Sequence, residues 1–171
     1  AMAAIAVIAV GCNKSTESGV ELGGDGVVKI ILAGDNDGTK STTALANESA
    51  VKNFTAMVFD YDSGVLQGYI QVADATVATV TNIPAGGSKR VVVVANGNSL
   101  LPALSVGTTN YSFLDGTTNV FTLEDQNTDA AFLDANGLIM TGEASGRVFI
   151  TSNVTSVTVP IKRIVSKVVL N

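Results

Sequence analysis

An all-β sandwich of about seven short strands is the fold this sequence predicts, and three features point to it. The apolar residues are mostly Val, Ala and Ile, and Thr is abundant, a composition that suits pleated, half-buried surfaces. Short runs of these residues recur along the chain, separated by Gly, Asn, Asp and Pro turn signals. Two of the runs are apolar on both faces, as strands at the centre of a layered sheet must be.

Taken in order, Val27–Leu32 is the first strand. The stretch from Gly34 to Lys40 (GDNDGTK) is a polar loop that continues through Ser41–Thr43. Lys52–Tyr61 alternates: Phe54, Ala56 and Val58 face one way and Met57, Phe59 and Tyr61 the other, which predicts a central, buried strand. The turn Asp62-Ser63-Gly64 leads into Leu66–Val72, and the pair reads as a hairpin. Ala75–Ile83 is ended by Pro84 and the Gly86-Gly87 turn. Lys89–Ala95 (KRVVVVA) is a β-branched run covered on both faces, and Asn96-Gly97-Asn98 stops it. Ser99 caps a short helix over Leu100–Leu104, with Pro102 tolerated near its first turn, and Phe121–Phe132 forms a second short helix. Leu138–Thr141, Arg147–Ile150 and Ser156–Val159 are short strands, and Ile161–Leu170 is a long final one. The expected architecture is an Ig-like or transthyretin-like Greek-key sandwich over 27–171 with one or two short helices in its connections.

Composition excludes several functions. The chain has 171 residues, 46% hydrophobic and 15% charged, which is enough apolar material for one domain with a core. Its net charge of −5 argues against nucleic acid, which requires a basic face. With no His, there is no imidazole base and no Ser–His or Cys–His dyad. With one Cys, there is neither an intramolecular disulfide nor a thiolate zinc site. Asp25, Asp60 and Asp62 have no acid–base spacing, so an enzyme is not expected and neither is a metal or other cofactor. Asp35-Asn36-Asp37-Gly38 has Ala46 rather than Glu at the twelfth position of a calcium loop. The glycine pairs lack the lysine and helix of a phosphate loop, and we read Gly23-Gly24-Asp25-Gly26 and Gly86-Gly87 as turns. The sequons at Asn53, Asn110 and Asn153 are chance matches. Lys89-Arg90 and Lys162-Arg163 read as solvated strand-end charges.

The N-terminus carries the clearest local signal. Ala1–Gly11 (AMAAIAVIAVG) is apolar, too short for the ~20 residues of a bilayer span, and ends in Cys12. It fits the apolar part of a secretory signal. Ala9, Val10 and Gly11 before Cys12 resemble a lipobox, with Ala9 where Leu is more usual; cleavage before Cys12 would let its thiol and new amino group be acylated. Acyl chains gain ~0.8 kcal/mol per buried methylene and would hold the protein on a membrane. Asn13–Gly26 follows as a polar, Gly-rich tether.

Together these pieces resemble the N-terminal half of the type V pilins, the FimA-like fimbrillins of Bacteroidales. The resemblance rests on the lipobox and Cys12-Asn13-Lys14, on Ala56–Asp60 (AMVFD), on Ile83–Asn96 (IPAGGSKRVVVVAN), on Leu138–Gly142 (LIMTG) and on Ile161–Leu170 (IKRIVSKVVL). It implies export as an outer-membrane lipoprotein, followed by a trypsin-like cut in the loop after the first strand. Loss of that strand opens a groove that a strand of another subunit fills, a form of β-augmentation. The displaced strand would then be Val27, Val28, Lys29, Ile30, Ile31 and Leu32. The family cuts after Arg; here the loop offers Lys40 followed by Ser41, so a trypsin-like or Lys-specific protease is the implied partner. Family members carry a further β-rich domain beyond the strand matching Ile161–Leu170, with the donor strand at its end. The implied role is a structural subunit of a cell-surface fimbria that contributes to adhesion. An anchor or regulatory subunit is an alternative, as is a non-polymerising surface lipoprotein that binds carbohydrate or a host protein through an exposed aromatic patch.

Overall fold

The computed structural model describes residues 24–34, 50–114 and 135–164. Among the described residues there are eight strands, seven of them in one hydrogen-bonded path, β3-β2-β5-β6-β8-β1-β4, with β7 paired to β5 beside it. They are β1 (Asp25–Ala33), β2 (Asn53–Asp60), β3 (Leu66–Ala73), β4 (Val77–Pro84), β5 (Ser88–Ala95), β6 (Met140–Glu143), β7 (Val148–Phe149) and β8 (Val154–Arg163).

The path folds into two layers at β8. The first part of β8 runs parallel to β1, from Val27↔Val154 to Ala33↔Pro160, and its last residues pair antiparallel with β6, from Gly142↔Ile161 to Met140↔Arg163. Pro160 stands where the partner changes, so its missing N–H falls at the end of a ladder rather than inside one. Gly142 lets the layers meet there, since a methyl group at this position would collide with the Pro160 carbonyl.

Alternation along the strands builds the core. Val28 and Ile30 of β1, Val80 and Ile83 of β4, and Val157 and Val159 of β8 meet Phe54, Ala56 and Val58 of β2 and Val91, Val93 and Ala95 of β5. On the other face of β2 and β5, Met57, Phe59, Val92 and Val94 join Leu66 and Ile139 under Leu101, Leu104, Tyr111, Phe113 and Leu114. The two strands expected to be apolar on both faces are therefore the two that are covered on both. A bulge between Val58↔Gly68 and Phe59↔Leu66 turns Leu66 into this second cluster while Ile70 and Val72 stay on the first.

Several boundaries differ from expectation. The first strand begins at Asp25, inside the stretch read as tether, because Gly26 lets the backbone pack closely rather than swing free. The separate strands Ser156–Val159 and Ile161–Leu170 are one strand as far as Arg163, and 165–171 lie outside the described residues. No helix spans Leu100–Leu104. A 3-10 turn at Asn98–Leu100 precedes Leu101, which is extended (φ −72°, ψ 141°), the conformation favoured before a proline. A second 3-10 turn, Tyr111–Phe113, is capped by the Asn110 side chain, which accepts from the Ser112 N–H. The predicted helix Phe121–Phe132 lies outside the described residues.

Candidate functional site: the seat of the first strand

Val27–Leu32 lies within β1, and β1 is interior to its layer. One edge pairs antiparallel with β4, from Asp25↔Pro84 to Ile31↔Val77, and the other pairs parallel with β8. Sequence could not identify these two flanking strands, because they are the fourth and eighth in chain order. Both main-chain edges of β1 are thus satisfied within the fold, and Leu32 N–H adds a bond to the Thr76 carbonyl at 2.9 Å.

Side chains alternate along the seat. Val28 and Ile30 are fully buried, whereas Lys29 faces solvent and Leu32 is half-buried. Each of the two buried side chains contributes about 1.5–3 kcal/mol of transfer free energy. Beside them on the flanking strands lie Val80 and Ile83 of β4 and Val157 and Val159 of β8. The upstream end of the seat is closed. A methyl group at Gly26 would run into Ile150 Cγ2 and lie 2.5 Å from the Thr151 carbonyl oxygen. That wall is tied down, because the Ile150 carbonyl accepts from Gly86 N–H at 2.9 Å and the Gly24 carbonyl from Ala85 N–H at 3.0 Å. The Gly86-Gly87 turn, with φ of +81° and +67°, therefore braces the seat as well as reversing the chain.

A second cluster corrects the reading of Lys89-Arg90 as solvated charges. Asp60↔Lys89 is a cross-strand pair; Lys89 is buried, with its Nζ 3.6 Å from Asp60 Oδ2. The Asp60 carboxyl is held below its ordinary range, first by the Ser63 N–H and Oγ that donate to it, and also by Lys89. Arg90 lies on the opposite face, 4.0 Å from the Tyr111 ring centroid and 4.8 Å from that of Tyr61, with Glu143 at 3.1 Å. Arg147 covers Tyr61 at 4.3 Å. This aromatic and cationic stack pins the segment that covers the outer cluster.

A third feature escaped the sequence reading. Asn96, read as a strand stop, is a buried hub in left-handed backbone (φ +59°). Its Oδ1 accepts from Lys52 N–H at 2.8 Å, and its Nδ2 donates to the Ala50 and Leu138 carbonyls at 2.8 and 2.7 Å. An Asn followed by Gly directly after the apolar run Val91–Ala95, residue types that take left-handed backbone readily, is the local signal that could have marked it. Among the described residues, no group of three or more His, Cys, Asp or Glu side chains could hold a metal ion. Cys12, Lys40 and Ser41 lie outside the described residues.

Comparison with known proteins bears on this arrangement. The family model described as major fimbrial subunit protein (FimA) matches residues 27–164. A comparison with curated proteins returned no match. Among solved structures, a fimbrilin from Porphyromonas gingivalis superposes with a TM-score of 0.54 at 17% identity, covering 81% of this chain and 39% of the other. The tip fimbrial protein of the same organism, with a C-terminal truncation, gives 0.55 at 19% identity, with 82% and 48% covered. Its fimbrial anchor protein gives 0.53 at 10% identity, with 80% and 50% covered. At these identities the superpositions establish the shared fold, and the chain spans about half or less of the length of each of these three. The match to the family model runs from the body of β1 to the end of β8, and the chain belongs to the FimA major fimbrial subunit family.

Proposed function

We propose that this chain is a structural subunit of a cell-surface fimbria, exported as a lipoprotein through Cys12 and assembled when β1 is cut free and replaced by a strand of another subunit. The observation that carries the reading is the interior position of β1 between β4 and β8. Removing an edge strand would leave a smaller sheet. Removing β1 leaves two facing rows of unpaired N–H and C=O groups, on β4 beside Val80 and Ile83 and on β8 beside Val157 and Val159, a lane that binds an extended apolar segment. The lipid on Cys12 then serves delivery and leaves with β1 after a cut at Lys40–Ser41. No catalytic group enters this account. The test is to treat the folded protein with a trypsin-like and a Lys-specific protease and identify the first cut by mass spectrometry. Cleavage after Lys40, with the sandwich intact, is expected. A native protein resistant at Lys40 rules out that processing site.

A second reading, a surface protein that binds carbohydrate or a host protein without polymerising, has one observation in its favour. Phe149 is 68% exposed, and Arg147, two residues before it, has its guanidinium over Tyr61. A cut protein that stays monomeric, and whose ligand binding is lost on Phe149→Ala, would favour it.

A further inference from the structure

The closed end of the β1 seat determines which strand can fill it. We infer that Gly26 is the register-setting position of the seat: an incoming strand must present glycine there, with β-branched apolar side chains two and four residues later. This rests on the strand-exchange reading above and specifies its partner. The occupant is an extended segment of another subunit reading Gly-x-Val/Ile-x-Val/Ile.

The geometry points to this through what surrounds Gly26. Only hydrogen fits between its Cα and the wall of Ile150 Cγ2 and the Thr151 carbonyl. The wall has little freedom to retreat, because Gly86 N–H holds the Ile150 carbonyl at 2.9 Å. A strand that slid by two residues, the smallest slip that keeps its apolar face inward, would drive Val28 into this wall or leave the Val28 place filled by glycine. Both outcomes are unfavourable, so the wall selects one register. The shift in the β1–β4 pairing between Gly26 and Val28 places the same constraint at a bulge, a device that fixes register elsewhere in sheets.

The chain's own sequence narrows the donor. The required spacing recurs at Gly68-Ile70-Val72 and Gly146-Val148-Ile150, and these segments are already built into β3 and β7, with Ile150 forming the wall itself. The closing stretch Ile161–Leu170 contains no glycine. By this rule it cannot occupy the seat in register.

The test uses the full chain with a site for a sequence-specific protease inserted after Gly38. After the cut, labelled peptides are added in excess and their uptake is read by native mass spectrometry. The Asp25–Ala33 peptide should replace the cut strand, and so should its Lys29→Ala form, because Lys29 faces solvent. The Gly26→Ala peptide and the Ile161–Leu170 peptide should be taken up at least tenfold less. Equal uptake of the Gly26→Ala peptide overturns the inference. Failure of every peptide to enter refutes strand exchange instead, and the register claim is then judged on the intact chain. There, Gly26→Ala should lower Tm by about 5 °C or more. An unchanged Tm overturns it.

Discussion

Replacing Asn96 by alanine should be among the costliest single changes on the polar side of this fold. Its side chain makes three bonds of 2.7–2.8 Å, to Lys52 N–H and to the Ala50 and Leu138 carbonyls, and a fourth, longer contact of 3.4 Å to Asn53 N–H. Truncation leaves at least the Leu138 carbonyl and the Lys52 N–H without these partners. At about 1 kcal/mol net for each of the three good bonds, the loss is about 3 kcal/mol. Alanine in left-handed backbone costs about 1 kcal/mol more, whereas Asn tolerates it. The total, about 4 kcal/mol, is a large share of the 5–15 kcal/mol typical of a domain. Urea denaturation followed by circular dichroism measures it through the shift in midpoint at constant slope. Asn96→Gly separates the two contributions, because it loses the hydrogen bonds and keeps the backbone; it should lie about 1 kcal/mol above Asn96→Ala. A loss below about 1 kcal/mol for Asn96→Ala, or a glycine variant less stable than the alanine one, would refute the reasoning.

Three further outcomes are expected. Ile30→Ala empties a fully buried site in the seat and should cost about 2–5 kcal/mol by urea denaturation. The Asp60 carboxyl is lowered in the folded state, so its contribution is present above its unfolded value near 3.8 and is lost as pH falls through the lower, folded value. Asp60→Asn should therefore be less stable than the parent at pH 7, and the difference should vanish as the pH is taken well below 3.8 in a thermal-melt series. Arg90→Lys keeps the charge and loses the planar stack between Tyr61 and Tyr111; a cost of about 1 kcal/mol and a changed near-UV circular dichroism spectrum are expected.

The elements that could be read from the sequence are those whose signals are local. The double-faced apolar patterns of β2 and β5 predicted strands covered on both sides, and Phe54/Ala56/Val58 and Met57/Phe59 do separate into two clusters. Strand order was not legible, because the partners of β1 are set by packing between segments far apart in the chain, Val77–Pro84 and Val154–Arg163. Gly26 was misread for a related reason. A flexible tether and a close approach of backbone to a wall use the same residue, and Ile150, which distinguishes them, lies 124 positions from Gly26 by their numbering. Lys89 looked solvated because a charged residue at a strand start usually is; the cross-strand register brings it to Asp60. Leu100–Leu104 had the composition of a helix, but Pro102 holds Leu101 extended.

Whether β1 is a replaceable strand is read from its fate after one cut in the 35–49 segment. With that segment cleaved to completion at an inserted protease site, the sandwich is mixed with excess subunit carrying a free donor strand and the complexes are weighed by native mass spectrometry. Loss of the fragment containing Val27–Leu32 and gain of one donor strand per sandwich are expected, with chains of subunits growing as donor is added. Retention of that fragment in every complex, with the sandwich monomeric throughout, would contradict it.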